Sequence, residues 1–152
     1  MVLTQILRPD CVKVPLEGKD KQAVISELID LLDRQDLLID RAVCLDAVLV
    51  RERTRSTGIG LGVAIPHGKC KGVNELVMAL GVTREPIDFG SSDGRGVTII
   101  VLLVSPANRT GPHIQALARI SRLMLDEPFR EKLEQANSAQ EAFSFIEDRE
   151  KQ

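Results

Sequence analysis

Residues 52–68 read ERTRSTGIGLGVAIPHG, and this run constrains the chain more than any other stretch. It starts at the end of a helical pattern, passes through an apolar segment punctuated by glycines, and stops at Pro66-His67-Gly68. Pro66 holds Ile65 extended and lacks a backbone donor, so a strand over Thr57–Ile65 is predicted to end there. The run thus delivers His67, one of two histidines, to the end of a buried strand. Gly68 has no Cβ, so the backbone or phosphate of another molecule is expected to come close to the imidazole. Gly58, Gly60 and Gly62 alternate along the predicted strand, leaving one face bare for something to pack closely against it. A nucleotide-binding loop is a poor alternative, because a dinucleotide fingerprint opens a helix and this one leads to His67. A histidine that merely terminates a strand is the plain alternative, and the run as a whole argues against it.

The 152 residues suit one domain, spanning 1–152, with enough chain to bury a real core. Hydrophobic content of 43% and charged content of 28% are ordinary for a globular protein. Net charge is −2 and the Lys and Arg residues are scattered, which argues against nucleic acid or an anionic membrane as partner. The longest purely apolar stretch, Ile99–Val104, is far too short to span a bilayer, so no membrane insertion is expected. The first residues lack the basic start and long apolar run of a signal peptide. Cys11, Cys44 and Cys70 form neither an even framework nor a CxxC pair, which points to the cytoplasm and to packing roles. His67-x-x-Cys70 has no second ligand pair of matching spacing, so no metal site is expected.

Along the chain, Cys11–Leu16 alternates as a strand with Val12 and Val14 on one face, and Pro15 marks it as an edge. Asp20 caps a helix whose inner face is Val24, Ile25, Leu28, Ile29 and Leu32. Asp40 caps a second, with Leu45, Val48 and Leu49 inward, ending near Arg51-Glu52. Glu75–Thr83 is a strand buried on both faces. Gly90–Gly96 is a turn-rich loop, and Val97–Val104 is the strongest and most central strand signal. After a polar loop, Thr110-Gly111-Pro112-His113 starts a helix with Pro112 at its first position. Ile114, Leu117, Ala118, Ser121, Met124 and Leu125 are expected on its inner face. Asp126 caps the next helix, to about Ala136, and Ser138-x-x-Glu141 is a capping box for the last, with Phe143 and Ile146 inward. The class is α/β, a sheet of about four or five strands with helices on both faces.

Glu52, six intervening residues, Ile59-Gly60, two more, then Val63-Ala64-Ile65-Pro66-His67-Gly68 resembles the signature of the enzyme IIA domains of the bacterial phosphoenolpyruvate-dependent sugar phosphotransferase system. The match is to the fructose/mannitol class, which includes nitrogen-regulatory members, and it extends over nearly the whole chain. The resemblance implies the mannitol-type fold, a mixed sheet of about five strands. It implies that His67 accepts a phosphoryl group from an HPr-like phosphohistidine carrier protein, with no cofactor. The family carries an arginine and a second histidine at places matching Arg51 and His113, so both are expected to stabilise the phosphoryl group. A helix start at His113 would supply positive dipole, and Arg51 a bidentate guanidinium. Thr57 is expected to donate a hydrogen bond and Gly68 to admit the substrate. Arg109, before His113, adds positive charge without a catalytic role. A plain solvated helix end for Arg51 and Glu52, and a solvent-facing helix start for His113, are the readings these residues would carry alone.

The 152 residues hold no fused IIB or membrane IIC segment, and the start of the chain resembles the regulatory members more than the sugar-dedicated ones. That favours a regulatory module whose phosphorylation controls a target protein. A sugar-specific IIA component passing phosphate to a IIB protein is the alternative. A small-ligand-binding domain with an unphosphorylated His67 is a third reading from another class.

Overall fold

The computed structural model describes residues 2–152. Strand β6 (Val97–Pro106) is the rail of the sheet, and every residue from Val97 to Ser105 is buried. Its run of β-branched and apolar side chains fits a strand covered on both faces. On one edge it pairs antiparallel with β5 (Val77–Ile87), Val77 opposite Val104 and Val82 opposite Ile99. Beyond β5 lies β1 (Leu7–Lys13), parallel to it and at the edge of the sheet. On the other edge β6 takes two short parallel strands in turn. The first is β3 (Val63–Ala64), with Val63 opposite Ile99, and the second is β4 (His67–Cys70), with His67 opposite Leu103. Strand β2 (Gly58–Gly60) pairs antiparallel with β3 and closes that edge. The sheet is mixed, as expected, and has six strands.

The predicted single strand over Thr57–Ile65 is instead a tight hairpin. Gly60, Leu61 and Gly62 all sit at positive φ (84°, 62° and 80°), which reverses the chain between β2 and β3. Two of the three alternating glycines therefore serve the turn, where a left-handed backbone favours a residue without Cβ. Gly58 alone fits the close-packing reading, since a Cβ there would lie 2.1 Å from Ser91 Oγ. Pro66 interrupts the ladder as its missing N–H requires, but its carbonyl accepts from the Leu103 amide at 3.0 Å and pairing resumes one residue later. His67 thus opens a strand rather than ending one.

Helices cover the sheet. α1 (Lys21–Arg34) is capped by Asp20, whose carboxylate accepts from the Ala23 amide, and it buries the predicted face against β5. α2 (Arg41–Thr54), capped by Asp40, lies on α1 and β4 and runs past Arg51-Glu52. Its buried residues are Cys44, Val48 and Glu52, while Leu45 and Leu49 are only half-buried. α3 (Thr110–Leu123) is followed by α4 (Glu127–Glu134), capped by Asp126, and α5 (Ala139–Glu150), capped by Ser138. The Glu141 carboxylate accepts from the Asn137 amide, so the box closes one residue early. Residues 77–83 of β5 are buried one after another, so both faces of the sheet are covered.

Two other expectations shift. β1 begins at Leu7, with Leu7 and Cys11 in the core, and stops before Pro15. α3 turns a different face inward: His113, Ala116, Ile120 and Leu123 are buried and Ile114 is 58% exposed, while just past the helix Met124 is buried as expected and Leu125 is 69% exposed. The helix starts at Thr110, so Pro112 is its third residue. Two apolar stripes of helical spacing compete along this segment, and the one that includes His113 faces the core.

The turn after β4 fits tightly under the start of α2. Gly72 accepts through its carbonyl from the Ile39 and Asp40 amides at 2.8 and 3.1 Å. A Cβ on Gly72 would lie 2.7 Å from the Asp40 carbonyl oxygen and 2.8 Å from Cys44 Sγ. Gly72→Ala is therefore expected to lower stability by about 1–3 kcal/mol through overpacking. Urea denaturation of the two proteins measures this, and equal midpoints would show that the α2–β4 junction is loose.

Candidate active site

His67 is half-buried at the first position of β4. Its Nδ1 stands 2.7 Å from the Ile65 carbonyl oxygen. A carbonyl can only accept, so Nδ1–H donates to it and the lone pair of the neutral ring lies on Nε2. The pKa is held below the usual histidine value. Burial is the largest cause, and the positive charges of Arg51 and Lys69 act the same way. The Ile65 hydrogen bond and the Glu52 carboxylate oppose it.

His113 comes from the chain that leaves the same end of the rail. β6 leads into α3, and the fourth residue of that helix sets its ring 5.4 Å from the His67 ring, centroid to centroid, at 63°. Ser105 Oγ lies 2.6 Å from its Nδ1. His113 is 4% exposed, and burial, helped by His67 and Lys69, pushes its pKa down to about 4. Its backbone N–H is already taken by the Arg109 carbonyl at 3.1 Å, so it offers its ring rather than a free helix-start amide. Arg109 itself is the exposed residue before the helix and does not line the cleft at His67.

That cleft has a volume of about 380 Å³. Arg51, in the last turn of α2, lines it with His67, and its guanidinium donates to the Arg55 carbonyl at 2.7 Å. Among the described residues no carboxylate lies within ion-pair distance of Arg51 or Arg55. Leu117 and Ser121 of α3 form the facing wall, so part of the stripe expected in the core borders the cleft instead. A larger cleft, about 680 Å³, runs between Lys13 and Asp33 and contains neither histidine, so volume does not mark the site.

Two predicted residues have other work. The Thr57 hydroxyl donates to Glu52 Oε1 at 2.5 Å and its amide to Oε2 at 2.8 Å. Thr57 lines the cleft, but its donor is committed to Glu52. Gly68 is buried, and a Cβ there would meet the Ala47 carbonyl carbon and the Val48 nitrogen at 3.1 Å. Its bareness lets α2 lie close to β4 and leaves no approach for another molecule.

Glu52 is the main residue that sequence reasoning underrates. It is 5% exposed, not a solvated helix end, and it also pairs with Lys21 Nζ at 3.2 Å. Its spacing of four from Val48, itself four from Cys44, was the available signal. Arg55, Ser92 and Ser121 were also missed; they reach the cleft from separate segments, and nothing in local pattern joins them. Among the described residues, no three His, Cys, Asp or Glu side chains stand together to hold a metal ion.

The family model described as phosphoenolpyruvate-dependent sugar phosphotransferase system, EIIA 2, matches residues 5–149. The chain belongs to this family. Among relatives of this enzyme IIA domain, a nitrogen regulatory protein of Bradyrhizobium diazoefficiens is 33% identical over 146 residues, covering 96% of this chain and 95% of its own. A fructose-specific EIIABC component of Bacillus subtilis is also 33% identical, over 99% of this chain, but the chain spans only 24% of that longer protein. The crystal structure of nitrogen regulatory protein IIA-Ntr from Neisseria meningitidis superposes with a TM-score of 0.86 at 33% identity, over 95% of this chain and 98% of that one. The mannitol IIA of Escherichia coli shares the fold, with a TM-score of 0.78 at 19% identity over 91% and 97% of the two chains.

In this IIA domain the geometry offers a neutral imidazole with an Nε2 lone pair in a cleft, a second neutral ring beside it, and two cleft-lining guanidinium groups with no carboxylate partner among the described residues. That set can attack and hold an electrophile carrying negative oxygens. The depressed His113 pKa also sets a pH dependence of stability. The unfolded ring takes up a proton near 6.5 and the folded ring only near 4, so between these values the unfolded state binds more protons. The associated stability is full above 6.5 and is lost as pH falls through 4. His113→Gln, which cannot titrate, is expected to lack about 1–2 kcal/mol of the wild-type loss between about pH 7 and about pH 5. Urea midpoints of both proteins at the two pH values check this, and parallel losses would show that His113 is not buried as described.

Proposed function

We propose that His67 Nε2 accepts a phosphoryl group from a phosphohistidine carrier protein, and that the phosphorylation state of the domain serves a regulatory, nitrogen-type role. The observation that carries the reading is the pinned Nδ1–H of His67, which leaves Nε2 as a neutral nucleophile in a cleft with unpaired arginines. In the transfer, the new bond from Nε2 to phosphorus forms as the donor's nitrogen–phosphorus bond breaks, with the two nitrogens in line. The phosphoryl oxygens meet Arg51 and Arg55, and His113 stabilises them from the side of α3. The exchange is nearly isoenergetic, because one phosphoimidazole replaces another, so the domain needs no nucleotide.

The regulatory reading is supported by the nitrogen regulatory relatives, which match along nearly their whole length, and by the Neisseria IIA-Ntr structure. The sugar-specific reading, in which the phosphoryl group passes to a IIB protein, is supported by the fructose-named relatives and by the fold shared with a mannitol IIA seen in complex with phosphorylated IIB. We place the protein in the cytoplasm, where three unpaired thiols persist. Among the described residues no helix is long and apolar enough to cross a membrane.

Incubation with phosphoenolpyruvate, the system's first enzyme and a phosphohistidine carrier is expected to add one acid-labile, alkali-stable phosphoryl group. His67→Ala should abolish it while circular dichroism stays native. Label that survives acid, or persists in that variant, would refute the assignment, and no label at all would favour the small-ligand reading.

Arg51→Ala is expected to slow transfer by about 10- to 100-fold with little loss of stability, since the half-buried guanidinium has no carboxylate partner. Stopped-flow or quench measurement of label on His67 checks it, and a wild-type rate would remove Arg51 from the site.

A further inference from the structure

We infer that Ser105 is a positioning residue whose hydroxyl donates to His113 Nδ1 and holds that ring as the Nε2–H tautomer beside His67. The inference rests on the reading that a phosphoryl group sits on His67, because it assigns the chemical sense of the second ring toward that group.

Ser105 is fully buried in β6, two residues beyond the partner of His67 in the sheet. Its Oγ lies 2.6 Å from His113 Nδ1 and has no other side-chain or backbone partner among the described residues. A buried hydroxyl proton must find an acceptor, and the acceptor in reach is Nδ1. Were Nδ1 protonated, two protons would compete for one contact and the hydroxyl proton would be stranded. Nδ1 therefore accepts, and the ring proton is on Nε2. That nitrogen has no partner among the described residues. It is also not among the buried polar side-chain atoms left without one, which are Ser91 Oγ and Thr98 Oγ1, so it keeps access to solvent. The depressed pKa of His113 agrees, because a neutral ring must choose between two tautomers.

The neighbouring rings are thus set in opposite senses by different partners. The Ile65 carbonyl takes the Nδ1 proton of His67 and exposes a lone pair on Nε2. The Ser105 hydroxyl fills the Nδ1 lone pair of His113 and exposes an N–H on Nε2. One ring attacks phosphorus and the other donates to a phosphoryl oxygen. The other tautomer of His113 would turn a lone pair toward an anionic oxygen.

Proton–nitrogen correlation spectra of the unphosphorylated, nitrogen-labelled protein at about pH 7 read both tautomers. The expected result is Nδ1–H for His67 and Nε2–H for His113. In Ser105→Ala, His113 is expected to shift toward Nδ1–H, and transfer onto His67 to slow about tenfold with label still on His67. A wild-type His113 found as Nδ1–H overturns the inference, as does a Ser105→Ala protein with unchanged tautomer or unchanged rate. If the variant does not fold, the wild-type spectrum alone decides. A protein that takes no label overturns the phosphoryl reading instead, while the tautomers still decide the role of Ser105.

Discussion

Strand β6 hydrogen-bonds along one edge to β5 and along the other to β3 and then β4, and everything near His67 hangs from that second edge. Pro66 cannot donate to the ladder, so the second edge is broken between the two short strands. The break turns Ile65 so that its carbonyl oxygen receives the His67 ring proton at 2.7 Å. The same strand ends at Pro106 and leads into α3, which returns His113 to within 5.4 Å of His67. Ser105, near the end of β6, grips that ring. One buried strand thus orients both imidazoles, and a slip of one residue would turn every side chain on it to the other face.

Burial and charge then decide protonation. Desolvation is the leading cause of the low pKa of each ring, and nearby cations add to it. A buried carboxylate close by would normally work the other way and quench the arginines. Glu52 is such a carboxylate and opposes part of the lowering at His67, but its oxygens are taken by the Thr57 amide, the Thr57 hydroxyl and Lys21. It acts as a brace between the end of α2 and the start of β2, and among the described residues Arg51 and Arg55 are left without a carboxylate partner at the cleft. A buried carboxylate without those partners would be costly, and removing it would strand the buried donors of Thr57.

As a phosphotransferase-system enzyme IIA domain, this chain shares its framework with relatives named as nitrogen regulatory and as fructose-specific at similar identity. The framework explains why both can exist on one fold. The imidazole pair is built from the sheet and one helix start. Much of the cleft wall comes from the segment between α2 and β2, from Ser92 in a loop and from the half-buried Leu117 and Ser121 of α3. Ile59, which lines the cleft, is 42% exposed.

The sequence by itself determined the family, the nucleophile candidate, the helix caps at Asp20, Asp40, Asp126 and Ser138, and the central strand. Each of these is written in local order: a cap needs one side chain and the next amides, and a buried strand needs a continuous apolar run. Tertiary structure alone decided what the residues around His67 do. Glycines at 58, 60, 62 and 68 look alike in sequence, yet two make a turn, one admits Ser91 and one admits α2. Thr57 looked like a free donor until the fold brought it to Glu52. The inward face of α3 hinged on a rotation that two competing stripes left open. Ser105, eight residues before His113, meets it only because the chain turns back at the end of β6. Such assignments depend on which groups the folded chain brings within hydrogen-bonding or van der Waals distance, and no local spacing encodes that.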